Sequence, residues 1–237
     1  DALVLTKNAS NWSDVQTVYV RAAEDDAEEG TRTVIVSHSV ISNVDTLDGA
    51  AIADLAVTVY DDDQPGLIVT ETEGETIVLE GGLQDTYSVS LTSTPAPGTS
   101  VTITIEHDEQ VATLPNTLVF DAVNWNDPQQ ITVLGVIDGV TENRMKSALT
   151  HEAVSTDPSY VVHGEGQVTA TVYDTDSAGS IVRHTNGSTV VTTGGQGDEY
   201  SIQLTSPPTA PVVIEATTDG QTLISSTDPR FIDDPSD

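Results

Sequence analysis

The sequence of 237 residues contains no cysteine, which excludes a disulfide framework and any thiolate-based metal or nucleophilic chemistry. Basic residues are scarce: 7 Lys plus Arg stand against 38 Asp plus Glu, for a formal net charge of -31. Such a chain repels phosphate backbones and anionic headgroups and attracts cations, so nucleic acid and membrane surfaces are excluded as expected partners. No apolar run approaches the roughly 20 residues that span a bilayer, so no membrane insertion is expected in this segment. Any export signal is expected outside residues 1–237. Aromatics are few, with two Phe, two Trp and six Tyr, yet 37% hydrophobic residues suffice for a core.

Val, Thr and Ile fill the apolar stretches, and β-branched residues favour pleated, half-buried surfaces. Period-2 or β-branched runs predict strands at 67–72, 76–79, 86–91, 100–105, 117–120, 130–136, 147–154 and 167–173. Turn formers separate them, among them Gly81-Gly82, Pro95 to Gly98 and Asp138-Gly139. No amphipathic helix stands out. The regular alternation also argues against the disorder that low hydrophobicity and high charge would otherwise suggest.

The stretch TVYDDDQPG, Thr58 to Gly66, ends a β-type run in three aspartates, and TVYDTDSAG, Thr171 to Gly179, repeats it 113 residues later. The same displacement relates Asn11-Trp12 to Asn124-Trp125, Val20 to Val133, Asp25 to Asp138, Glu29 to Glu142 and His38 to His151. Further on it relates Gly81-Gly82 to Gly194-Gly195, Asp85 to Asp198, Tyr87 to Tyr200 and Leu91-Thr92-Ser93 to Leu204-Thr205-Ser206. One spacing shared by so many unlike residues points to tandem duplication. The expected organisation is the C-terminal part of a first unit at 1–66, a complete unit at 67–179 and the N-terminal part of a third at 180–237. Two explanations stay open for the partial units: a window on a longer array, or completion by neighbouring molecules.

The run LVFDAVNWNDPQQITVLGVID, a Thr-Glu pair, TVYDTD and the opening VLEGGLQDTYSVSLTS together resemble the tandem Calx-β-like repeats of large extracellular proteins, many of them bacterial adhesins and surface proteins. The resemblance covers nearly the whole chain. It implies an all-β fold of tandem immunoglobulin-like β-sandwich repeats, with a period of about 113 residues. In calcium-binding members, ions gather at one end of the module between an acidic residue near the first strand, interstrand loops and aspartates ending the last strand. Carried onto this sequence, the implied ligands are Glu80, Asp108, Asp138, Glu142, Asp174 and Asp176 in the complete unit. In the first unit they are Asp25, Asp26, Glu28, Glu29, Asp61, Asp62 and Asp63. The loop EDDAEEG, Glu24 to Gly30, carries more carboxylates than its counterpart IDGVTEN, Ile137 to Asn143, which ranks the first site above the second. The third unit has Thr193 where Glu80 stands, while Asp219 matches Asp108 across a two-residue deletion.

Electrostatics point to Ca2+ without the resemblance, because this ion takes about 6 to 8 oxygen ligands and carboxylate-rich loops supply them. Alternation in an extended segment would aim Asp61 and Asp63 at one pocket and Asp62 elsewhere. The bland alternative is that aspartates punctuate strand ends and solubilise the surface. Trp12, Trp125, His38 and His151 read as packing residues of equivalent strands, and the Gly-Gly pairs precede strands rather than phosphate-cradling helices. No nucleophile, base and orienting group stand out together, so no enzyme is expected. The expected function is a non-enzymatic extracellular or cell-surface structural repeat protein, a stalk, filament or surface-layer segment stiffened by Ca2+. Its expected partners are neighbouring repeats, with self-assembly into a polymer as one form. The alternative is an adhesive or glycan-binding module with a cell-surface ligand.

Overall fold

The computed structural model describes residues 3–23, 25–158, 160–162 and 166–230. Glu24 of the acidic loop and the last seven residues of the third unit therefore lie outside the described residues. Thirteen strands are present among those described, and no helix among them is long and apolar enough to cross a membrane.

Nine strands between Leu67 and Tyr173 form two sheets. The first sheet contains β3 (Leu67–Glu71), β5 (Asp85–Leu91), β9 (Gln129–Gly135) and β7 (Val111–Leu114), in that order. The second runs β4 (Thr76–Leu79), β11 (Val168–Tyr173), β10 (Met145–Ser155), β6 (Ser100–Glu106) and β8 (Thr117–Asp121). All pairings are antiparallel except β4 with β11. The eight predicted strands are all here. The ninth, β7, is a four-residue edge strand whose VATL carries too short an alternation to be read from sequence.

Period-2 patterning builds the core. In β6 every second residue, Val101, Ile103 and Ile105, is buried, and in β9 Ile131 and Val133 are. These residues join Tyr87, Val89, Leu91, Leu118, Phe120 and Leu149 in one cluster drawn from both sheets, so residues 67–173 form a β-sandwich. Each such side chain contributes about 1.5–3 kcal/mol when fully buried. One polar pair crosses this core: the Tyr87 hydroxyl and His151 Nε2 are 2.9 Å apart. His151 Nδ1 also lies against the Gly166 carbonyl, so the Nδ1–H donates there and Nε2 accepts the tyrosine proton.

Two smaller antiparallel pairs flank the sandwich: β1 (Arg32–Val36) with β2 (Leu55–Val59), and β12 (Ser180–His184) with β13 (Tyr200–Leu204). Arg32 faces Val59 as Met145 faces Val172, and Ser180 faces Leu204 as Leu67 faces Leu91. The 113-residue displacement of the sequence is thus also a displacement of register. The segments joining the pairs to the sandwich are fastened alike. Thr92 donates its amide to the Gly66 carbonyl at 3.0 Å and its hydroxyl to that of Gln64 at 2.8 Å. Thr205 makes the same two bonds to Gly179 and Ser177, at 3.0 and 2.7 Å. Ile181 of β12 is fully buried against Ile77 and Leu79, beside Leu83 and Tyr173.

Candidate functional site: an acidic cluster at one end of the sandwich

The strand β4 ends at Leu79, and the next residue crosses between the sheets. Glu80 donates its amide to the Tyr173 carbonyl at 3.0 Å, at the end of β11, and Gly81 donates to the Gly135 carbonyl at 3.1 Å, at the end of β9. A parallel bridge joins Glu80 to Gly135. Three strand ends thus converge on one glutamate.

Glu80 is 1% exposed, and neither of its carboxylate oxygens has a hydrogen-bond partner. Burial first, then the negative charges of Asp174 and Asp138, push its carboxyl above the ordinary glutamate value. The Thr175 amide leans toward it and offsets part of that shift without reaching hydrogen-bonding geometry. Around it, carboxylate oxygens of Glu80, Asp138 and Glu142 lie within 4.8 Å of one another, and so do those of Glu80, Asp174 and Asp176. Five acids therefore share one end of the sandwich with Glu80 as their common member. None of the five forms an ion pair among the described residues.

Asp174 organises the loop between β9 and β10. One of its oxygens accepts the Glu142 amide at 2.6 Å, and the other accepts the Asp176 amide at 2.6 Å. Burial pushes the Asp174 carboxyl up, but these amides and Ser177 outweigh burial and hold it below the usual aspartate value. Asp138 accepts the Val140 amide at 2.8 Å and Gln110 Nε2 at 3.4 Å. Backbone donors thus keep Asp174 ionised while Glu80 has none that satisfies it. A buried carboxylate among four others is costly unless a cation neutralises it, and all-oxygen donors suit a hard divalent ion. The residues present fit Ca2+.

Residues 25–63 show the same pattern of loop hydrogen bonds. Asp61 accepts the amides of Glu29 and Gly30 at 2.5 and 2.6 Å and that of Asp63 at 3.0 Å, and Asp25 accepts Ala27 at 2.9 Å. The Gly30 amide is the main reason the Asp61 carboxyl is held low. Burial, followed by the charges of Asp61, Asp62, Asp26 and Asp25, raises Asp63. Residues Asp61, Asp62 and Asp63 line one concavity with Asp25 and Glu29. Arg32 pairs with Glu29 there, whereas Arg144 beside the second site lies over the Tyr173 ring. Both metal-spaced groups found among the described residues are built on Glu80, and neither includes an acid of residues 25–63.

Other expected ligands are placed apart. Asp26 and Glu28 belong to neither metal-spaced group. Asp108 accepts the Ser147 hydroxyl at 2.7 Å and the Gln110 amide at 3.1 Å, outside both groups. Asp219 caps its own turn through the Gln221 amide at 3.0 Å. Sequence reasoning missed Gly135. A Cβ there would meet the Glu80 backbone at 2.8 Å, so only glycine lets β9 approach the residue that carries the site. Ala22 holds the equivalent position in the first unit.

No family model matches the chain, and no curated protein matches it. Among solved structures it is similar to the apo form of the Calx CBD1 domain, at 12% identity, over 46% of this chain and 97% of that one, with a TM-score of 0.33. It is also similar to the YadV chaperone, at 8% identity over 46% of this chain and about half of that one (51%), with a TM-score of 0.33. The E. coli chaperone DraB matches at 10% identity over 61% of this chain and 86% of that one, again at 0.33. At such scores these likenesses carry no argument about function.

Proposed function

We propose that the chain is part of a non-enzymatic extracellular structural protein, a stalk, filament or surface-layer segment of tandem immunoglobulin-like units, with Ca2+ held at the end of each competent unit. The observation that carries this reading is Glu80, buried with both oxygens unsatisfied at the centre of four further acids. Ca2+ would be bound by Glu80, Asp138, Glu142, Asp174 and Asp176. A cation held there would offset the repulsion among the carboxylates at three strand ends. Tyr173 and Leu79, which immediately precede Asp174 and Glu80, pack beside Ile181 of the next unit. Ordering the site therefore orders the strand ends that seat the following unit. Extracellular modules bind Ca2+ at about 10⁻⁴ to 10⁻³ M, so occupancy follows the external calcium pool.

The 113-residue repetition supports reach rather than catalysis. A net charge of -31 keeps long arrays soluble and apart. Small-angle scattering of the chain with Ca2+ and with chelator tests the scaffold role. The expected result is a narrower, more extended distribution with Ca2+, and unchanged scattering despite saturated binding would overturn it. An adhesive or glycan-binding module would instead show saturable binding of the chain to a defined cell surface or glycan.

A further inference from the structure

We propose that Asn124 closes the outer edge of β8 against strands of other molecules, its side-chain amide taking the hydrogen bonds that an incoming strand would make. The five-stranded sheet ends at β8, whose one neighbour in it is β6. Just before the strand, the Asn116 carbonyl accepts the Ile105 amide of β6 at 3.0 Å. Backbone groups of successive residues point to opposite sides within the plane of a sheet, so Thr117, Val119 and Asp121 turn theirs away from β6. A row of unpaired groups of this kind is a template for another strand. The segment from Asn116 to Phe120, NTLVF, carries no charge and no proline and has high β propensity, and Val119 is 51% exposed.

Asn124 occupies that row. Its Oδ1 accepts the Asp121 amide at 2.7 Å, and its Nδ2 donates to the Val119 carbonyl at 3.2 Å. Donating to one residue and accepting from the residue two further on is what a single residue of a parallel strand does to its neighbour. The carboxamide thus stands in for a strand one residue long. Gln129 Nε2 donates to the same Val119 carbonyl at 2.8 Å, so both lone pairs of that oxygen are taken. Asp121 holds the turn in return by accepting the amides of Val123 and Asn124 at 2.7 and 3.2 Å. The fork recurs 113 residues earlier, where Asn11 accepts the Asn8 amide at 2.7 Å and donates to the Thr6 carbonyl at 3.4 Å. Residues 6–8 belong to no strand, so the fork is made by the local segment itself. A carboxylate has no donor and a hydroxyl is too short to span both groups. The asparagine of the repeated Asn-Trp pair therefore has a task apart from packing and from metal. Like units joined in one chain meet at high effective concentration, where an open edge would pair with its copies.

The test uses the intact chain in chelator, so that metal binding has no bearing on the result. Sedimentation is followed against concentration for the parent chain, Asn124→Ala, Val119→Lys and the double variant. Hydrogen exchange in β6 and β9 confirms that the sandwich is folded in each. Asn124→Ser, which keeps a turn-forming residue but cannot span both backbone groups, is carried beside the alanine variant and decides the matter if that variant does not fold. The proposal expects Asn124→Ala to associate about tenfold or more tightly than the parent chain. Adding Val119→Lys should return association to the parental level, because a lysine on an edge strand opposes pairing. Association no stronger than that of the parent overturns the proposal. Stronger association that the lysine leaves unchanged overturns it too, because the contact would then lie away from β8.

Discussion

Glu80 and Gly135 pass so closely that a Cβ built on the glycine would stand 2.8 Å from the Glu80 amide nitrogen and 2.9 Å from its Cα. The contact is backbone on backbone, so no side chain can swing away to relieve it. Gly135→Ala should therefore push the end of β4 outward. Overpacking of this kind costs about 1–3 kcal/mol, and displacement of Glu80 should weaken Ca2+ binding about tenfold or more. Chemical denaturation with and without Ca2+ checks both; an unchanged calcium response would mean that this approach does not position the ligand.

A second prediction concerns the seat of β12 and β13 on the sandwich. Arg183 of β12 reaches Asp85 at 2.9 Å and Glu73 at 3.7 Å, with the Asp85 side chain 3% exposed. The Ile77 and Thr86 amides also bond Asp85, so its carboxylate stays partly satisfied when the arginine is removed. Arg183→Ala should cost about 1–3 kcal/mol, confined to the attachment of β12 and β13. Hydrogen exchange should then accelerate over 180–204 and stay unchanged in β5, β6 and β9.

The pH dependence in chelator separates Glu80 from the other titrating groups. Glutamate titrates near 4.5 in the unfolded chain, and the folded value of Glu80 is raised. Its stability contribution is thus fully present below 4.5 and lost as pH rises through the folded value. Asp174 is shifted down from 3.8, so its contribution is present above 3.8 and lost as pH falls through its folded value. His151, held down from 6.5 chiefly by burial, loses its contribution as pH falls below 6.5 toward its folded value. Glu80→Gln removes only the first effect. The stability of Glu80→Gln minus that of the parent chain should therefore grow as pH rises above 4.5, and a flat difference would place Glu80 in solvent.

Tyr87→Phe tests the crossing of the core. The substitution removes one hydroxyl and leaves His151 Nε2 buried without its donor. A loss of about 1–3 kcal/mol is expected, with no change in Ca2+ response, because the pair is not among the five acids. Urea denaturation measures the loss.

Much of the fold was legible because alternation over β5, β6 and β9 is strict and Gly or Pro marks the turns between them. The loop aspartates were legible through their repetition, and Asp25, Asp61, Asp138 and Asp174 each bind a loop amide as their equivalents do. The burial of Glu80 was not legible, because it depends on the close approach of Gly135, a residue with no side chain to read. The polar pair of Tyr87 and His151 was not legible either, because its members lie 64 residues apart on different sheets.

The most direct measurement is a calorimetric Ca2+ titration of the chain beside Glu80→Gln. The account predicts saturable binding by the parent chain with a dissociation constant of about 10⁻⁴ to 10⁻³ M. It also predicts loss of that binding in Glu80→Gln, together with a melting temperature in chelator above that of the parent at neutral pH. Equal Ca2+ binding by both proteins, or none by the parent, would contradict the claim that a metal satisfies the buried carboxylate.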